Sequence, residues 1–117
     1  MKIYLKDGKY NVYIKDFLMT FFELKDTLDQ MKMKNDSKVL FKISKYDNVK
    51  LPKILCKQEF SSDIYKINLF AERYEKLDKP GCAAFKSLIE TKPESSFEDI
   101  LLMTYGLDSV PVIHALH

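Results

Sequence analysis

The chain has 117 residues, 46% apolar and 31% charged, with three Gly and four Pro. That balance excludes a disordered or low-complexity chain and suits one domain, 1–117, long enough to bury a core without disulfides or metals. No apolar run approaches the roughly 20 residues of a bilayer-spanning helix, and Lys2, Lys6 and Asp7 interrupt any signal-peptide core, so a cytoplasmic location is expected.

Net charge is +2, but it is unevenly spread. Residues 1–58 hold 13 Lys against 7 Asp/Glu, a balance of +6. Residues 59–117 hold 5 Lys and 1 Arg against 10 Asp/Glu, a balance of −4. A split of this kind can mark a basic face for phosphates or for an acidic partner. All cations but Arg73 are Lys. Bidentate base reading by Arg is therefore not expected.

In chain order, Lys2–Lys6 reads as a first strand and Asp7-Gly8 as a hairpin turn. Tyr10, Val12 and Ile14 alternate with Asn11, Tyr13 and Lys15, which predicts a second strand with the first set buried. Thr20-x-x-Glu23 forms a capping box. It opens a helix with Phe21, Leu24, Leu28 and Met31 inward, and the turn Asn35-Asp36-Ser37 closes that segment. Val39, Phe41 and Ile43 face inward on a third strand. Residues 50–57, KLPKILCK, read as a short strand, kept at an edge by Pro52.

Ser61 or Ser62 is expected to cap the next helix, with Ile64, Ile67, Ala71, Tyr74 and Leu77 as its apolar stripe. Asn68 sits beside that stripe and must find polar partners, commonly the backbone of a neighbouring loop. Pro80 starts another helix with Cys82, Phe85, Leu88 and Ile89 inward. Ser95-x-x-Glu98 is a second capping box, ahead of Phe97, Ile100, Leu101 and Thr104 or Tyr105, and Gly106 ends that helix. Val110, Val112 and Ile113 suggest a last short strand. The expected fold is α+β: a small, mostly antiparallel sheet, one helix between strands, and a C-terminal cluster of three short helices. The first 58 residues supply strands, one helix and the basic charge; the remainder is mainly helical and acidic.

The residues supply no catalytic constellation. His114 and His117, the only histidines, lie at the C-terminus, where a base for a nucleophile is poorly held. Cys56 and Cys82 read as free, buried thiols, and no metal site or cofactor is expected. Neither a phosphate-binding loop nor a dinucleotide-binding glycine turn occurs. The chain is therefore expected to bind rather than to catalyse. Two surface sets are candidates for that binding. The basic set is Lys38, Lys42, Lys45, Lys50, Lys53 and Lys57, several of which share a face if residues 38–57 form a hairpin. The acidic set is Glu75, Asp78, Glu90, Glu94, Glu98 and Asp99.

Five segments between Thr20 and Ile113 carry a resemblance: TFFELKDTLDQM, VLFKISKYDN, INLFAERYEKLD, CAAFKSLIE and SFEDILLMTYGLDSVPVI. Together they resemble one module of the ArdA antirestriction family of mobile elements. The resemblance implies a counter-defence role in a bacterial cell, against type I restriction-modification enzymes. This chain is a single module and slightly basic, whereas DNA mimics of that family are acidic. Its size and its Lys, Tyr and Ile content are also similar to anti-CRISPR proteins of Firmicutes phages. That resemblance implies as partner an RNA-guided nuclease such as Cas9, or its guide RNA. A nucleic-acid-binding accessory protein of a mobile element is the competing expectation.

Overall fold

A computed structural model describes residues 1–8, 11–47 and 50–106. Strands β1 (Lys2–Lys6), β2 (Val12–Asp16), β3 (Val39–Ile43) and β4 (Glu59–Ser62) form one antiparallel sheet in the order β2-β1-β3-β4. Helix α1 (Phe21–Gln30) separates β2 from β3. Helices α2 (Ile64–Glu75), α3 (Lys79–Thr91) and α4 (Phe97–Gly106) follow β4. The class is α+β.

The sheet is two-sided in chemistry. Ile3, Leu5, Val39, Phe41, Ile43 and Phe60 point to one face and are buried. Buried side chains from all four helices join the core on that side. Phe41 meets Phe60 and Phe97 at ring separations of 5.7 and 4.9 Å, and Phe97 meets Phe70 at 5.6 Å. Rings from both halves of the sequence thus share one core.

The capping box that opens α1 is complete: Glu23 N donates to Thr20 Oγ1, and Thr20 N donates to the Glu23 carboxylate. Leu24, Leu28 and Met31 are buried, but Phe21 is not; it points outward with Phe22. Helix α1 closes earlier than Asn35, at Met31. There Met33 N donates to Leu28 O and Lys32 N to Asp29 O, with Lys32 at φ 54°. This is the paired closure usually built on glycine.

Asn68 fulfils its expected role. Its amide bridges the Met19 backbone in both directions, accepting from Met19 N at 2.7 Å and donating to Met19 O at 3.0 Å. That pair fastens the loop before α1 to α2, 49 residues away.

One expected strand and two expected caps are corrected. Residues 50–57 are not a strand. Leu55 N, Cys56 N and Lys57 N donate to the carbonyls of Pro52, Lys53 and Ile54, winding a 3-10 turn at Leu55–Lys57. Leu51, Pro52, Leu55 and Cys56 are buried as adjacent pairs four residues apart, a helical pattern that strand alternation cannot produce. The fourth strand comes later, at Glu59–Ser62. Ser61 and Ser62 therefore belong to β4, and Asp63 caps α2 by accepting from Lys66 N. Ser96, not Ser95, caps α4, accepting from Asp99 N at 3.2 Å, while Ser95 donates to Lys92 O.

On α3, Phe85 and Ile89 are buried, Cys82 is half-buried and Leu88 is exposed. Gly81 sits where a Cβ would come within 3.0 Å of Asp78 Oδ1, the atom that accepts from Gly81 N and caps that helix. The strand expected at Val110–Ile113, and both histidines, lie outside the described residues. No described helix is long and apolar enough to cross a membrane.

Candidate partner-binding face

The strongest disagreement between sequence and structure lies on β2. Val12 and Ile14 were expected inside, yet they are 54% and 60% exposed. Register explains this. Lys6 pairs with Val12 and Tyr4 with Ile14, so Val12 and Ile14 share a face with Lys6 and Tyr4. Since side chains alternate with period two, the register at the turn decides which set is buried. Tyr13 and Lys15 take the covered side instead. Tyr13 Oη donates to Gln30 O at 3.4 Å and Lys15 Nζ to Gln30 Oε1 at 2.8 Å, which ties β2 to the end of α1.

The face opposite the helices is uncovered. One row across it reads Ile14, Tyr4, Lys42, Glu59; the next reads Val12, Lys6, Leu40, Ser61. Leu40 is also exposed. Two ion pairs flank these apolar groups. Lys2 donates to Asp16 at 3.0 Å, and Lys6 Nζ pairs with Glu59 across β3. The Lys2 ammonium holds the Asp16 carboxyl below its ordinary value, chiefly through that hydrogen bond.

The basic set does not act as one group. Lys42, Lys45 and Lys57 line a cavity of about 390 Å³ at the end of β3, together with Tyr4, Tyr46 and Ser44. Lys50 and Lys53 line a different cleft, of about 380 Å³, with Lys86 and Glu90. Tyr74 holds that segment by donating to Lys50 O at 2.8 Å, and burial pushes its phenol well above the usual range. Lys38 precedes β3, at the far end of the strand from Lys45. Sequence reasoning omitted Tyr4 and Tyr46, because their place beside the lysines follows from strand pairing and a turn rather than from spacing.

The acidic set divides as well. Glu75 and Asp78 lie near the start of α3 and Glu90 near its end, about 18 Å apart by helix rise. Glu94 lies beyond α3, and Glu98 and Asp99 open α4. Three of the six already have partners: Asp78 caps α3, Glu90 lies 4.0 Å from Lys86, and Glu98 lies 4.0 Å from Lys66.

Cys56 is buried with Sγ 3.9 Å from Ser44 O, and burial raises its pKa, which disfavours the nucleophilic thiolate. Both Cys56 and Cys82 are free thiols. Among the described residues, no group of three or more His, Cys, Asp or Glu side chains is placed to hold a metal. Compared with family models, curated proteins and solved structures, the chain matches none.

Proposed function

We propose that this protein is a counter-defence inhibitor that works by binding, and that the uncovered face of its sheet is the docking surface. One observation carries the choice of surface: Val12, Ile14 and Leu40 are exposed on the same face as Tyr4 and Lys42. A strand that turns its apolar set to water forgoes burial worth about 25 cal/mol per Å². Val12 and Ile14 are neighbours on that face, with Tyr4 beside Ile14, and exposed apolar groups rimmed by charge are characteristic of interaction sites.

The partner follows from the resemblance to antirestriction and anti-CRISPR proteins: a bacterial defence nuclease, first a guide-loaded Cas9, second a type I restriction complex. Such nucleases hold their nucleic acid in basic channels. The Lys-rich part of the face suits the bound RNA. Inhibition is stoichiometric, since it requires no chemistry from this chain.

The test is DNA cleavage by each nuclease, preincubated with excess protein. Loss of cleavage by either supports the reading, and the doubly substituted Val12→Asp/Ile14→Asp chain should then fail to inhibit while keeping its fold. Full cleavage by both at every excess sinks the counter-defence role. A gel shift with bare guide RNA distinguishes the accessory-protein alternative, which binds nucleic acid with no nuclease present.

A further inference from the structure

We propose that the cavity between Lys42, Lys45 and Lys57 takes one nucleotide of a single-stranded polynucleotide, with its phosphate among the three ammoniums and its base against a tyrosine ring. The inference rests on the uncovered face being the docking surface, and it names the ligand class of one end of that face.

The first argument is charge. None of the three lysines forms an ion pair among the described residues, and no carboxylate lines the cavity. The nearest acid along the β3–β4 register is Glu59, opposite Lys42, and Lys6 already holds it. Asp47 is engaged by the Ser44 hydroxyl at 3.2 Å. Three cations are thus left facing one concavity, a poor arrangement for a protein alone and a suitable one for a phosphate diester.

The second argument is shape. Tyr46 is 77% exposed, with Lys45 Nζ 5.1 Å from its ring centroid. Its turn is fixed, because Tyr46 N donates to Ser44 Oγ and Ser44 N to Lys2 O. Tyr4 stands on β1 with Lys42 directly opposite on β3. Aromatic rings beside ammoniums are the usual platform for single-stranded nucleic acid, since every base offers a flat face to stack. A duplex keeps its bases stacked inside, so only an unpaired strand can use these rings. The cavity lies near the lower end of the range of about 300–1,000 Å³ for small-molecule sites, a scale that suits one nucleotide and excludes a folded domain. An acidic peptide would match the charge but leave the rings without a stacking partner.

Fluorescence anisotropy with a short labelled oligouridylate and the matching oligothymidylate tests this, with a labelled duplex and unlabelled polyglutamate as controls. Expected is single-strand binding that the duplex does not reproduce and that polyglutamate does not displace. The sugar arm shows whether RNA, DNA or both are accepted. Lys42→Gln/Lys45→Gln/Lys57→Gln should lose about tenfold or more in affinity. It should also lose about 2 from the log–log salt slope, three contacts at about 0.7 each. Tyr46→Ala should lose about 5- to 150-fold, the range for one stacked base. Lys25→Gln/Lys32→Gln/Lys34→Gln removes the same charge from the α1 side and should change little. All these positions are exposed, so folding is not at issue.

Equal losses in the two triple variants would mean diffuse attraction to net charge and overturn the site, as would displacement by polyglutamate or no binding of either single strand. In that last case, nuclease inhibition that persists leaves the docking face standing through protein contact alone. Inhibition lost together with strand binding in the pocket variant ties the two readings.

Discussion

The two faces of the sheet are built from the same strands and answer to different demands. On the covered face every alternate residue of β1 and β3 is buried apolar, and three phenylalanine rings from β3, β4 and α4 interlock within 6 Å. On the uncovered face apolar and cationic groups alternate, ion pairs lie in water, and one cavity collects unpaired lysines. The covered face supplies stability; the uncovered face supplies a surface on which side chains can be exchanged at little folding cost. If that division is right, substitutions should separate cleanly by face.

The largest expected effect is at Phe41, fully buried at the centre of the ring cluster. Phe41→Ala should cost about 3–5 kcal/mol, from lost transfer energy plus the cavity left behind. Ile14→Thr, on the other face, should change stability by no more than about 0.5 kcal/mol. Urea unfolding of both variants compares them directly. Similar losses at the two positions would mean that the outer face is covered in solution, for instance by a second copy, and the division would fall.

An intermediate effect is expected at Asn68, a polar group within the covered side. Its amide pairs with both backbone groups of Met19. Asn68→Ala leaves a part-buried donor and acceptor unmatched, a loss of about 1–3 kcal/mol. Hydrogen exchange at the Met19 amide should accelerate more than exchange in β3. An unchanged Met19 rate would show that the loop is held by packing alone.

How far the sequence foretold these faces depends on what each segment's local pattern encodes. The covered face was readable: Val39, Phe41 and Ile43 alternate cleanly, and the Thr20–Glu23 box fixed the start of α1. The partner type for Asn68 was readable too, because a polar side chain on an apolar stripe has few options. The face of β2 was not. Its alternation is equally good in either orientation, and the choice is made by pairing with β1, a non-local fact. Residues 50–57 misled because Leu, Ile and Lys suit a strand by composition, while the burial of adjacent pairs, Leu51 with Pro52 and Leu55 with Cys56, belongs to a helical turn. The six lysines looked like one set because they are close in sequence; the 3-10 turn sends Lys50 and Lys53 to a different cleft from Lys57. An apolar set facing water is also where local reasoning should fail at a functional surface, since binding and burial ask for different faces.

The smallest expected effect tests the electrostatics of the uncovered face. Asp16 accepts from Lys2 and lies 3.8 Å from the N-terminal ammonium, and its carboxyl is held below the ordinary value. A carboxyl whose folded pKa is depressed contributes stability that is present above its unfolded pKa. That contribution is lost as pH falls through the folded pKa. The wild-type chain should therefore exceed Asp16→Asn slightly in urea midpoint near neutral pH, and the two curves should converge below the usual carboxylate range. Because the pair is exposed, added salt should shrink the neutral-pH difference. A difference that persisted in high salt would place Asp16 in a screened, partly covered setting, and the open face would then extend only over the Tyr4–Lys42 end of the sheet.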